Sequence, residues 1–192
     1  MARHPTELDS SAGGPKPVLL IAQEGSANLE VAVSEEAGVM IDLLSAAGYR
    51  VVVATKSGKP LVAKSRTITP DLTVDSVNSR DYAGLIMPCM NTSGSGITLQ
   101  AIAITKEMGA AGKPIAAQRG SVPILGQAGI LVGKRYSGWY ACESQGTFTP
   151  NSVVTDGTII TSGGCPYSGA SEGTIDGTRE LTRLFIEALA SG

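Results

Sequence analysis

Lys113-Pro-Ile-Ala-Ala-Gln-Arg-Gly-Ser-Val-Pro-Ile-Leu125 is the stretch from which the fold can be read. Ile115 to Gln118 has the look of a short buried strand, and Ser121 to Leu131 that of a helix. Only Arg119 and Gly120 lie between them. A strand that breaks this sharply into a helix is an elbow, and the residue at its tip stands over the end of a sheet. In many α/β enzymes that tip carries a nucleophile. Here it carries arginine, whose guanidinium stays protonated and cannot attack anything.

Outward from the elbow, apolar runs alternate with helical patterns. Val18 to Gln23 reads as a strand buried on both faces. Glu24 to Val33 reads as a long loop, with Ser34 as N-cap and Glu35 and Glu36 in the first turn of a helix. Ala37, Met40, Ile41 and Leu44 give that helix its apolar face, and Gly48 ends it. Tyr49 to Thr55 is the next strand. Ser57 to Asp71 suggests a small β excursion, Asp75 to Tyr82 a short polar helix, and Ala83 to Pro88 a third central strand. Ile97 to Ala111 is a helix with Leu99, Ile102, Ala103 and Lys106 on successive turns, closed by Gly112. Tyr136 to Ala141 reads as a strand. Asp156-Gly157 between Ser152–Val154 and Thr158–Thr161 is a hairpin signal. Leu181, Leu184, Phe185 and Ala188 stripe a final helix. The alternation predicts one α/β domain over residues 17–192, with a mostly parallel sheet covered on both faces in three layers. Residues 1–16, rich in Ser, Gly and Pro, read as a disordered tail. Ligands bind beyond the carboxyl ends of such strands. That selects four loops: Glu24 to Glu36, Cys89 to Gly96, Gln118 to Gly120 and Ser162 to Gly173.

Composition narrows the chemistry. The 192 residues carry 15 basic and 17 acidic side chains, with no basic stripe for nucleic acid and no basic amphipathic face for a membrane. No apolar run approaches a membrane span of roughly 20 residues. The start lacks an apolar signal segment. Three unpaired cysteines, Cys89, Cys142 and Cys165, fit a reduced cytoplasmic setting. His4 is the sole histidine, so Ser-His and Cys-His catalysis from within the fold is excluded. No Cys/His spacing indicates zinc, and no cofactor is expected.

Four stretches resemble the ThiJ/PfpI superfamily, with its flavodoxin-like, class I glutamine amidotransferase-like fold: Ala46-Ala-Gly-Tyr-Arg-Val-Val-Val-Ala54; Gly84-Leu-Ile-Met-Pro88; Lys113-Pro-Ile-Ala-Ala117 with Gln127-Ala-Gly129 and Gly133-Lys-Arg-Tyr-Ser-Gly-Trp139; and Val154-Thr-Asp-Gly-Thr-Ile-Ile-Thr-Ser162. The superfamily includes intracellular proteases, deglycases and isonitrile hydratases. The resemblance implies an elbow cysteine where Arg119 stands, with Gly120 and Gln118 also departing from the usual elbow text. It implies Gly-Gly-Asn where Cys89-Met90-Asn91 follows the third strand. It implies an acidic residue facing the elbow, which falls on Glu36, with Glu35 a competitor. It further implies a homodimer.

The candidates follow. Arg119 either anchors a substrate carbonyl or carboxylate or merely pairs with Glu36. Cys89 is either a buried small hydrophobe or a relocated thiol nucleophile, with Cys165 the second choice. Glu36 is a proton shuttle or a helix-end acid. Met90, Asn91, Gln118, Gly120, Trp139 and Cys165 are the expected substrate contacts, with Tyr167 a weaker one. Ser93-Gly-Ser-Gly96 is a loose phosphate-cradle pattern. Thiol, carboxylate and arginine suit an isomerase, cyclase or lyase of secondary metabolism acting on an unsaturated carbonyl or carboxyl metabolite. The alternatives are a non-catalytic metabolite-binding or regulatory protein, and a glyoxalase- or deglycase-like activity.

Overall fold

A computed structural model describes residues 15–26, 28–90, 97–142, 146–168 and 175–192. Seven strands form the central sheet: β1 (Val18–Ile21), β2 (Val51–Thr55), β5 (Leu72–Thr73), β6 (Gly84–Met87), β7 (Ile115–Gln118), β10 (Val153–Asp156) and β11 (Ile159–Ser162). Two small two-stranded sheets pair β3 (Leu61–Val62) with β4 (Thr67–Ile68) and β8 (Arg135–Tyr136) with β9 (Thr147–Phe148). The order in the central sheet is β10-β11-β7-β6-β1-β2-β5, and every pair is parallel except β10 with β11. β1, β6, β7 and β11 are buried at every position, as strands covered on both faces must be.

Helices cover each face. On one side lie the helix over residues 29–46 and Thr178–Ala190, with Met40, Leu44, Leu181 and Phe185 packed on Leu20, Ile86, Ala116 and Ile160. On the other lie Ile97–Ala110 and Val122–Gln127, with Ala101, Ile104, Met108, Ile124 and Leu125 on Leu19, Leu85 and Ala117. The mostly parallel three-layer α/β architecture is as expected.

Several local expectations are corrected. Ser34 is no N-cap: the first helix begins at Leu29, runs through a π segment, Ala32–Ala37, and continues as Gly38–Ala46. The wider π turn breaks the 3.6-residue period on which a helix start is recognised. The expected face of Ile97–Ala110 is out of phase, since Leu99 is exposed while Ala101, Ile104, Thr105 and Met108 are buried. Apolar residues on several sides of that helix blur its pattern. The Asp75–Tyr82 helix is two 3-10 turns, Val74–Ser76 and Ser79–Asp81. The helix after the elbow stops at Gln127, where Ile130 N–H bonds back to the Leu125 carbonyl around a left-handed Gly129. The expected Tyr136–Ala141 strand is only Arg135–Tyr136, because the Ser137 N–H turns to the Thr161 hydroxyl.

Candidate active site

The strand order places the carboxyl ends of β1, β6, β7 and β11 side by side. The elbow after β7 forms as expected, with Arg119 held at φ 42°, a 3-10 turn over Arg119–Ser121, then helix. A positive φ at a non-glycine residue is a strained backbone of the kind found at elbows. The elbow is clamped to the segment after β6. Ser121 Oγ donates to the Pro88 carbonyl. Gly120 N–H donates to Cys89 Sγ at 3.4 Å. A Cβ on Gly120 would lie 2.4 Å from the Met90 carbonyl oxygen and 3.2 Å from Cys89 Sγ. Gly120→Ala therefore cannot keep this packing. It is expected to cost about 1–3 kcal/mol, read as a lowered Tm, and to displace Cys89.

Three reactive groups converge from three of these loops. Glu36 lies in the π segment that follows β1, Cys89 two residues beyond β6, and Cys165 three residues beyond β11. Their carboxylate oxygen and sulfurs all lie within 4.8 Å of one another. Glu36 is buried and Glu35 is exposed, which decides between the two acids. The extra residue of the π turn is what presents Glu36 inward; Gly38 makes room for it, since a Cβ there would lie 2.4 Å from the Val33 carbonyl oxygen. The trio forms one wall of an open cavity of about 440 Å³, also lined by Gln23, Ser26, Val31, Ala32 and Tyr167.

The groups share protons unequally. Hydrogen bonding from the Cys89 thiol, and then from Ser168 and Glu36, holds Cys165 far below its usual value of 9.0, down to about 5 despite its burial. Cys89 is pushed up, first by the hydrogen bond it donates to Cys165, then by burial and the neighbouring Glu36. Burial raises Glu36 well above 4.5, and Cys165 and Asp176 raise it further. The directions place the negative charge of the trio on Cys165 ahead of its partners, with Glu36 and Cys89 as the acids around it. Cys142, half-buried and away from these partners, is raised by its burial. A thiolate transition in ultraviolet absorbance is therefore expected near pH 5, with the thiolate present above it. Cys165→Ser should abolish that transition and Cys142→Ser should leave it. In donor type the trio resembles a cation site, but an ion would have to displace two protons.

The other sequence candidates fall as follows. Met90 is buried in the core. Asn91 and Ser93-Gly-Ser-Gly96 lie outside the described residues. Gln118 Nε2 donates to the Gly164 carbonyl at 3.0 Å and to Thr178 Oγ1 at 2.8 Å, tying the elbow to the loop that carries Cys165. Arg119 is buried; it donates to the Gly163 carbonyl at 3.3 Å and sits 5.0 Å from the centroid of the Trp139 ring, which is largely exposed. Tyr167 is exposed on the cavity rim. Ser168, which sequence reasoning did not single out, closes a short turn on Cys165 by accepting its N–H at 3.0 Å. The Cys-x-x-Ser spacing was its only trace. A larger hollow of about 800 Å³ lies at the opposite ends of the strands. Its Lys113 is committed to the Ser79 and Tyr82 carbonyls, and none of the trio reaches it.

Comparison with known proteins agrees with this architecture. The model of the DJ-1/PfpI family matches residues 16–170. The chain belongs to the DJ-1/PfpI family. A protein from Archaeoglobus fulgidus is 32% identical over 122 residues, covering 60% of this chain and 73% of that one. Among solved structures, the ThiJ/PfpI domain protein from Brachyspira murdochii superposes with a TM-score of 0.69 at 18% identity, covering 94% of this chain and 99% of that one. DJ-1beta from Drosophila melanogaster gives a TM-score of 0.60 at 23% identity, covering 93% and 97%. These two likenesses show the fold alone. Within it, this DJ-1/PfpI chain has arginine at its elbow and two of its three thiols, Cys89 and Cys165, on the two flanking loops. No helix among the described residues is long and apolar enough to cross a membrane.

Proposed function

We propose that this chain is an enzyme acting on a small α,β-unsaturated carbonyl compound by reversible thiolate addition, as an isomerase or, by extension, a cyclase or lyase. The observation that carries the reading is the convergence of Glu36, Cys89 and Cys165 on one cavity wall within 4.8 Å. The nucleophile is Cys165, the second choice from sequence, because its neighbours donate protons to it. Cys89 is the donor that stabilises it.

The Cys165 sulfur adds to the β-carbon, forming a C–S bond while the alkene electrons move onto the carbonyl oxygen. The Glu36 proton passes to that oxygen as charge develops there. The former double bond, now single, rotates. The proton then returns to Glu36, the alkene re-forms and the sulfur leaves. No net proton, oxidant or cofactor is consumed. Cyclisation corresponds to attack of the enol α-carbon on an electrophilic carbon of the same substrate before the sulfur leaves. Burial favours the exchange, since a carboxyl raised well above its ordinary value keeps its proton to higher pH and can act as a general acid there. Arg119 enters as a positioning residue. It grips Gly163, two residues before the nucleophile, while Trp139 covers it. Among the described residues no cation lines the cavity, which favours a neutral substrate over a carboxylate.

The test is a panel of uncharged Z-configured enones and dienones followed by NMR. Conversion to the E isomer by the wild-type chain and not by Cys165→Ser supports the reading. Ligand-induced stabilisation without turnover would favour a binding protein instead. Consumption of methylglyoxal with no isomerisation would favour the glyoxalase-like alternative. A homodimer and a cytoplasmic setting remain part of the proposal.

A further inference from the structure

We infer that Cys89 and Cys165 are also a dithiol centre that reduces a small hydroperoxide and stores the oxidation as a disulfide between the β6 and β11 loops. The inference goes beyond the addition chemistry. It shares Cys165 with that reaction but needs no carbonyl substrate and makes a demand on Cys89 that addition does not. Three observations carry it. The two sulfurs come from separate loops and lie within 4.8 Å, so closing to a bond of roughly 2 Å asks for a movement of less than about 3 Å. Both cysteines border the same cavity, whose lining of Val31, Ala32 and Tyr167 beside Gln23, Ser26 and Asn28 suits a small organic peroxide as well as hydrogen peroxide. The third member of the cluster, Glu36, is a buried acid placed to protonate a leaving oxygen.

The steps balance. The Cys165 sulfur attacks the peroxide oxygen that carries hydrogen. The S–O bond forms and the O–O bond breaks. The departing alkoxide takes the Glu36 proton and leaves as an alcohol, or as water when hydrogen peroxide reacts. Sulfur has lost two electrons to the peroxide and is a sulfenic acid. Cys89 sulfur then attacks it, the S–S bond forms, and the hydroxyl leaves with the Cys89 proton as water. An external dithiol resets the pair by exchange, donating two electrons.

The magnitude of the effect decides the conditions. A thiol at about 5 is almost fully ionised at neutral pH, but its intrinsic nucleophilicity falls with its pKa by a Brønsted factor of about 0.4–0.5. Against a thiol at the ordinary 9.0, from which burial raises Cys142, the two effects nearly cancel at pH 7. At about pH 6 the ionisation advantage dominates, and Cys165 should react roughly 10-fold faster.

The experiment treats the reduced full-length chain at about pH 6 with stoichiometric hydrogen peroxide or cumene hydroperoxide. Free thiols are counted and cysteine peptides mapped by mass. The expected result is loss of two thiols per peroxide, a linked Cys89–Cys165 peptide and a free Cys142. Cys89→Ser should lose one thiol and give a dimedone-trapped sulfenic acid on Cys165, and Cys142→Ser should behave as wild type. Oxidation confined to Cys142, a Cys165 oxidised with Cys89 left free in the wild-type chain, or an unreactive chain each overturns the inference. Capture of an enone by Cys165 in a chain that forms no disulfide removes this inference and leaves the proposed function. A Cys165 silent toward both removes both.

Discussion

Cys165→Ser is expected to lower turnover of an activated enone by roughly 10³-fold or more while the chain still folds. The size follows from what a serine lacks. Its hydroxyl ionises only when a base takes the proton, and the only histidine of the chain is His4. The neighbours of Cys165 are arranged as donors, not bases: the Cys89 thiol, Ser168 and a Glu36 carboxyl whose hold on its proton is strengthened by burial. That arrangement stabilises a thiolate and does nothing for a neutral hydroxyl. Serine fills nearly the same volume and can hydrogen bond with Ser168, so a collapse of the fold would not account for the loss. Cys89→Ser is a milder change. Its hydroxyl still donates to Cys165, so it should slow the reaction less, while Cys89→Ala, which deletes the donor, should raise the pH at which Cys165 ionises.

Glu36→Gln is the second large effect, a fall in turnover of about 10²–10⁴-fold, the usual weight of a positioned general acid. Glutamine keeps the shape and neutrality of the buried carboxyl and can still donate a hydrogen bond to the thiolate. It cannot release a proton to the developing enolate. Substrate binding and Tm should therefore change little while kcat falls, and the pH limb that reports deprotonation of Glu36 should disappear. The sign is set by the raised value: Glu36 works below its folded-state pKa, and the rate declines as pH rises through it. Glu35→Gln, at an exposed position on the same turn, should leave both stability and rate unchanged within measurement. Equal activity in Glu36→Gln and the wild-type chain would leave Glu36 as a structural acid only.

The legible part of this molecule was local or periodic. The elbow could be read because strand, tip and helix are contiguous. Gly48 and Gly112 both adopt the left-handed conformation where their helices end. Asp156-Gly157 joins β10 to β11 as its pattern indicates. The cavity was legible in outline, since the carboxyl ends of parallel strands follow from strand order. The identity of the nucleophile was not. Cys89 and Cys165 are far apart in the chain and meet only because β6 and β11 flank β7, and what separates them is which one receives hydrogen bonds, a property of side-chain directions. Glu36 could be placed by register, but the π turn that aims it was invisible and displaced the start of the helix. Arg119 drew attention as the odd residue at the tip, and its guanidinium reaches the Gly163 carbonyl, on the loop that carries Cys165, and the Trp139 ring.

One measurement bears most directly on the claim that reactivity has moved from the elbow to the loop after β11. The reduced chain is exposed to a small uncharged enone over a pH series, and the adduct on each of the three cysteines is followed by peptide mass. The account predicts that Cys165 is modified first, with a rate that rises through an ionisation near pH 5 and declines again only as pH rises through the raised value of Glu36. Modification of Cys89 or Cys142 ahead of Cys165, or a Cys165 rate that climbs only toward pH 9, would contradict it.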